Sequence, residues 1–256
     1  CGMMECKKAL TEANGDFDAA IKLLREKGLS VAAKKADRIA AEGIVDIMVS
    51  DDGATAAIIE VNSETDFVAK NATFVAFVKD ILKTILKNRP ENVEKLLAMN
   101  LENSDLTVEA ALKDKIFTIG ENMNIRRFEI VDGVLSTYIH GHGAIGVVVS
   151  FDADDSVVAK DGFKEFAKNI ALQVAALPTP YISKESVPAS VIEEEKEILM
   201  QQIKNDPKAA GKPEKVLNQM INGRLGKFYE QNCLLEQGYV KEDNMKVSAY
   251  IQASEK

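Results

Sequence analysis

The feature that most constrains this chain is an internal repeat at a single offset of 90 residues. Gly43-Ile44-Val45 recurs as Gly133-Val134-Leu135, Gly53 as Gly143, Ala57-Ile58-Ile59 as Val147-Val148-Val149, and Val68-Ala69-Lys70-Asn71 as Val158-Ala159-Lys160-Asp161. The register then slips by one. Phe74, Phe77, Lys79 and Ile81 correspond to Phe163, Phe166, Lys168 and Ile170, which keeps the apolar spacing of a helix laid on a sheet. Apolar and β-branched runs predict strands at 44–49 and 56–61, and again at 134–139 and 145–151, with Asp52-Gly53 and Gly141-His142-Gly143 as hairpin turns. Residues 125–131 are a further strand, placed to complete the sheet of the first copy. The expected fold is α+β: duplicated strand-hairpin/helix subdomains at 43–131 and 132–182, the second completed by a return of the chain at 233–256.

The rest of the chain reads as helix. Met3, Met4, Cys6, Ala9 and Leu10 recur at helical spacing, Asn14-Gly15-Asp16 supplies a turn and a cap, and Ala19 to Leu24 give a second apolar face ending at Gly28. Two short helices of this kind over 1–28 resemble a ubiquitin-associated-like module, joined to the core by a partly helical connector at 29–42. Over 183–232, two apolar stripes face each other: Val191, Ile192, Ile198, Leu199 and Ile203 in one segment, and Val216, Leu217, Met220, Ile221, Leu225 and Phe228 in the next. They are separated by Asn205-Asp206-Pro207 and Gly211-Lys212-Pro213, which implies an antiparallel helical hairpin. Its role is either structural or that of an arm reaching a partner. Residues 246–256 read as helix or as a short strand.

Composition removes several function classes. A net charge of −8 and a pI near 5.0 suit a phosphate-gripping surface poorly, so no direct nucleic-acid binding is expected. No apolar run approaches the roughly 20 residues that span a bilayer, so no membrane partner is expected and the location read is cytoplasmic. The first residue is Cys1 rather than Met, which leaves an upstream targeting segment open. Cys1, Cys6 and Cys233 show no paired spacing and read as reduced thiols. No GxGxxG or P-loop match and no recognisable nucleophile–base pairing are read in the chain, and no cofactor is expected.

A duplication also singles out what the shared fold does not need. Thr65-Asp66-Phe67 corresponds at the repeat offset to Asp155-Ser156-Val157, which keeps side chains able to cap a helix but replaces the aromatic. Thr65 or Asp66 can be explained as a cap for the helix that carries Phe74, Phe77 and Ile81. Phe67 can be explained as a hydrophobic staple. Since the second copy manages with valine, a phenylalanine at a loop tip points instead to insertion into another protein.

Three stretches carry a family resemblance: Cys1-Gly2-Met3-Met4-Glu5-Cys6-Lys7-Lys8-Ala9-Leu10, the run from Glu60 through Ser63-Glu64-Thr65-Asp66-Phe67-Val68 to Lys70, and Ile119-Gly120-Glu121-Asn122-Met123-Asn124-Ile125-Arg126-Arg127. With the duplicated core and the helical hairpin, they make the chain similar to the bacterial elongation factor Ts family over nearly its whole length. The family's first helix would precede Cys1, and its final strand and acidic tail would follow the last residues here. Ala144 stands where the family often has Arg. The resemblance implies a nucleotide exchange factor without covalent catalysis, whose partner is elongation factor Tu in its GDP-bound and nucleotide-free forms. It implies that Thr65, Asp66, Phe67 and Val68 reach the GTPase domain beside the nucleotide, where Phe67 wedges between helices while the Mg²⁺ ligands are disturbed. It further implies that His140 faces the partner near the phosphate loop.

Three other readings compete with this one. His140 and His142 suggest a metal pair on one strand face, although no third ligand converges in the sequence. Residues 1–28 alone suggest a binder of ubiquitin-like domains, which leaves the duplicated core unused. An enzyme of another class is the third.

Overall fold

A computed structural model of the chain describes residues 2–206, 212–242 and 244–254. Cys1, Pro207 and Gly211 of the expected turn, and the last two residues of the 246–256 segment lie outside the described residues. The chain forms two compact units, residues 1–160 and 161–256, so the hairpin of the second copy belongs to the first unit and its helix to the second.

The first unit opens with α1 (Met3–Glu12) and α2 (Phe17–Lys35). Asn14 and Gly15 take left-handed conformations, and Asp16 caps α2 by accepting from the Ala19 amide at 3.0 Å. The helix does not stop at Gly28. A glycine ends a helix when it turns left-handed, as Gly120 does with φ 92°. Gly28 stays helical and packs against Phe117, and Ala32 one turn later joins the main core. The connector is therefore helical to Lys35, and only the following residues to 41 link it to the sheet.

That sheet has three antiparallel strands in the order β1 (Glu42–Val49), β2 (Thr55–Ser63), β3 (Met123–Asp132). Between β2 and β3 run α3 (Asp66–Ala69), α4 (Ala72–Asn88), α5 (Val93–Ala98) and α6 (Val108–Ile119). α4 lays Phe74, Phe77, Val78, Ile81, Leu82 and Ile85 into the core with at most 2% exposure. Burying side chains of this size contributes about 1.5–3 kcal/mol apiece, so this helix and the strands beneath it hold the unit together. A second hairpin, β4 (Val134–His140) and β5 (Ile145–Phe151), precedes α7 (Asp155–Val158).

The repeat is visible in the hydrogen-bonding register. Ile44 faces Val61 and Ile47 faces Ile58, while Val134 faces Phe151 and Thr137 faces Val148, each pair 90 positions after its counterpart. Gly43 and Gly133, which open the two hairpins, share φ values of 134° and 124°. The one-residue slip comes earlier than the sequence suggests. In α3 the amides of Ala69, Lys70 and Asn71 bond to the carbonyls of Thr65, Asp66 and Val68, and in α7 those of Val158, Ala159 and Lys160 bond to Asp154, Asp155 and Val157. The offset is already 89 there, so Val68 corresponds to Val157 and Phe67 to Ser156, not to Val158 and Val157.

The second unit contains α8 (Phe163–Ala176), α9 (Ala189–Lys204), α10 (Glu214–Asn232), a 3-10 turn at Leu234–Glu236 and α11 (Val247–Ser254). α9 and α10 form the expected hairpin, with Ile203 and Ile221 buried between them beside Leu217 and Met220. Residues 247–254 are helix, which settles the alternative left open by the sequence. The buried amides of Gln173 and Gln237 bond to each other at 3.2 Å and to the carbonyls of Gly238 and Pro178, so these polar groups are satisfied inside an apolar setting. Burial pushes the Cys233 thiol up, which suits an inert structural cysteine.

Candidate functional site

The apolar spacing in β3 demands an irregular strand. Met123 and Ile125 point inward, and Phe128 and Ile130 resume the same face, so the alternation breaks by one residue at Arg126-Arg127. The ladder shifts there: Glu60 faces Arg127 while Val61 faces Ile125. This bulge turns two consecutive arginines toward one carboxylate, with Arg126 Nη1 at 3.1 Å and Arg127 Nε at 2.8 Å from Glu60. Burial pushes the Glu60 carboxyl up, but Arg127, Asn62 and Arg126 more than offset it and hold the group below its ordinary value.

The ladder ends at the pair Ser63–Met123, and side chains carry it further. The Glu121 carboxylate accepts from the Thr65 amide at 3.0 Å and from the Thr65 hydroxyl at 2.7 Å. The Glu64 carboxylate accepts in return from the Asn122 amide at 2.6 Å. The Ser63 hydroxyl donates to the Thr65 carbonyl at 3.0 Å. Asn122, buried at 6% exposure, donates through its side chain to the carbonyls of Ala36 and Arg38, and Lys35 donates to the Gly120 carbonyl. Two of the three stretches that carry the family resemblance thus bond reciprocally across more than fifty residues of sequence.

α3 stands on this base as a single turn with two sides. Val68 and Ala69 are buried in the core, whereas Phe67 is 81% exposed. The expectation that Thr65 or Asp66 caps the helix carrying Phe74 is overturned. Asn71 does so, accepting from the amides of Thr73 and Phe74 at 2.8 and 3.3 Å. Thr65 makes no side-chain cap, because its hydroxyl is taken by Glu121. Asp66 pairs with Lys70 at 2.7 Å, and that hydrogen bond holds its carboxyl below the usual range. Val68 lies on the core side of the turn, at 6% exposure. Phe67 is also no staple, which would bury it.

The turn of the second hairpin lies beside this loop. The Val45 amide donates to the Gly143 carbonyl at 2.7 Å, and a Cβ on Gly143 would stand 3.0 Å from the Ile44 Cβ and the Val45 carbonyl oxygen. This docking closes a cleft of about 390 Å³ whose walls include Glu42, Val45, Asp66, Lys70, His142 and Gly143. His140 is the last residue of β4, exposed, with Nδ1 at 2.9 Å from the Tyr138 hydroxyl. His142 has left the strand and turns left-handed at φ 57°, so the two imidazoles do not share a strand face. No group of three His, Cys, Asp or Glu able to hold a metal occurs among the described residues.

The expectation that the chain holds no GxGxxG match is wrong, since Gly141-His142-Gly143-Ala144-Ile145-Gly146 has that spacing. This stretch joins two antiparallel strands and opens no helix, so it lacks the helix N-terminus on which a dinucleotide phosphate would sit. The sequence reading also missed Glu64, Glu121 and Asn122 as individual residues. Their signal was present only as membership of the runs that carry the family resemblance, because the bonds depend on the β2–β3 register.

No described helix is long and apolar enough to cross a membrane. The family model for Elongation factor TS matches residues 64–256. Two proteins named Elongation factor Ts, from two strains of Clostridium kluyveri, are each 44% identical over 259 residues, covering 100% of this chain and 82% of the relative. On the extent of that match, the chain belongs to the elongation factor Ts family.

Proposed function

We propose that this chain promotes release of GDP from elongation factor Tu during translation elongation, acting in the cytoplasm and catalysing no covalent step itself. The observation that carries the reading is Phe67: an aromatic ring 81% exposed on a turn whose opposite side is buried and whose start is clamped by hydrogen bonds. A large apolar group held out rigidly loses little conformational freedom when it docks, which favours an insertion into a partner's core. GDP on a GTPase is held by Mg²⁺ and by backbone amides around its phosphates. A ring that displaces the helices supporting those groups weakens GDP without touching it. Asp66, ionised and carried on the same turn, faces the same partner, and Val68 serves by anchoring the turn. His140 and the α9–α10 hairpin extend the contact, as does the helical module of α1 and the first part of α2.

Exchange imposes a thermodynamic condition that can be measured. If the chain lowers GDP affinity by some ratio, GDP lowers the chain's affinity by the same ratio. Titration of the chain into nucleotide-free and GDP-loaded elongation factor Tu should therefore show tighter binding to the nucleotide-free form. Equal affinity for both forms would refute the proposal, because a ligand that does not discriminate between two states shifts neither.

A further inference from the structure

The junction below Phe67 is bonded more elaborately than a surface turn requires. Ser63 and Met123 are the last paired residues of β2 and β3, so Glu64 flanks Asn122 and Thr65 flanks Glu121. At these two steps a carboxylate stands where a ladder would use a carbonyl. Glu64 takes the Asn122 amide, and Glu121 takes both the amide and the hydroxyl of Thr65. A single hydrogen bond leaves the turn free to pivot about it, whereas a bond to the backbone and another to the side chain of one residue fix that residue's rotation. Thr65 is the residue from which α3 starts, and it gives up a local cap to make the second bond. The equivalent turn α7 follows a hairpin of only two strands, has no buried residue and carries Ser156 where α3 carries Phe67. The copy with the exposed ring is the one with the clamp.

We propose that Glu121 is a positioning residue for exchange, its carboxylate clamping Thr65 so that α3 presents Phe67 at a fixed angle. The proposal rests on the reading of Phe67 given above. Glu121 touches no nucleotide and need not touch the partner; it acts through Thr65.

The test compares full-length Glu121→Ala, Glu121→Gln, Thr65→Val and Phe67→Ala, plus the double variant Glu121→Ala/Phe67→Ala. Stimulated release of labelled GDP from elongation factor Tu is measured against chain concentration, which separates the saturating rate from the half-saturating concentration. Glu121→Ala should lower the saturating rate about tenfold while moving half-saturation less than about twofold, the pattern of an interaction used in the activated state. Glu121→Gln keeps an acceptor for the amide and lets the hydroxyl reverse its role, so it should stay within about threefold of the parent. Thr65→Val, which keeps the amide bond, should fall between them and serves if Glu121→Ala does not fold. In the Phe67→Ala background, Glu121→Ala should add less than about twofold, because there is no ring left to position. Amide exchange at Thr65 should accelerate in Glu121→Ala whatever happens to activity. An unchanged saturating rate in Glu121→Ala, or the same fold loss with and without Phe67, would overturn the proposal. If Phe67→Ala itself releases GDP normally, the Phe67 reading falls; if Phe67→Ala is slow and Glu121→Ala is not, only the positioning role falls.

Discussion

Replacing Phe67 by alanine separates a group kept for a partner from one kept for the fold. The ring is 81% exposed, so its loss should cost the chain's own stability no more than about 0.5 kcal/mol, as for other surface substitutions. Phe74, in the following helix α4 and 0% exposed, is the internal comparison, and Phe74→Ala should cost about 3–5 kcal/mol. At about 2–4 °C per kcal/mol for a chain of this size, Phe67→Ala melts within about 2 °C of the parent and Phe74→Ala some 10 °C lower. The partner side has a different magnitude. A phenylalanine exposes about 200 Å² when free, and burying four-fifths of that in the GTPase is worth up to about 4 kcal/mol at 25 cal/mol per Å². Stimulated GDP release should therefore slow by between about tenfold and a thousandfold. The assay is displacement of fluorescent GDP from elongation factor Tu by excess unlabelled nucleotide, with and without each variant. Parent-like stimulation by a folded Phe67→Ala would refute the reasoning, and so would a loss that merely tracked its melting temperature.

Other consequences concern the fold and the hairpin. A Cβ on Gly43 would lie 2.2 Å from the Val61 carbonyl oxygen, whereas one on Gly133 would meet the movable Ser150 hydroxyl at 2.8 Å. Both alanine variants strain a positive φ, but Gly43→Ala should lose about 1–3 kcal/mol more in chemical denaturation. Removing residues 196–226 behind a short linker should leave the remaining chain with a cooperative melt, since Ile203 and Ile221 pack within the hairpin, while weakening partner affinity about tenfold. Loss of the melt would instead make the hairpin part of the fold. Glu60 has a depressed carboxyl, so its contribution to stability is present above the ordinary value of 4.5 and is lost as pH falls through the lower folded value. The stability gap between the parent and Glu60→Gln should accordingly be constant above pH 4.5 and shrink below it.

How much of this was legible in the sequence depends on the range of the interaction involved. The strand pairs and the α4 face could be read because alternation and helical spacing are local, and the repeat doubled each signal. Phe67 stood out because a duplicated frame exposes the residue that only one copy has. The end of α2 was misread, since Gly28 stops a helix only where its neighbours leave it free to turn left-handed, and Phe117 and the core hold it helical. The capping role was given to Thr65 or Asp66 because both precede α4 and both have suitable side chains. Its true owner, Asn71, lies nearer the helix, and Thr65 is drawn away by Glu121 from 56 residues along the chain. The β3 bulge was encoded in the broken alternation of Met123, Ile125, Phe128 and Ile130, yet only the register shows that it delivers both arginines to Glu60. α5 and α6 escaped the reading altogether, their helical turns being short or weakly amphipathic.

The central claim is that this chain accelerates loss of GDP from elongation factor Tu, and a single stopped-flow titration addresses it. Elongation factor Tu loaded with a fluorescent GDP analogue and Mg²⁺ is mixed with unlabelled nucleotide and increasing amounts of the chain. The account predicts a release rate that rises with chain concentration and saturates, at least about a hundredfold above the spontaneous rate, which corresponds to lowering the barrier by about 2.7 kcal/mol. A release rate that stays at the spontaneous value across the titration, with the chain folded and in excess, would contradict it.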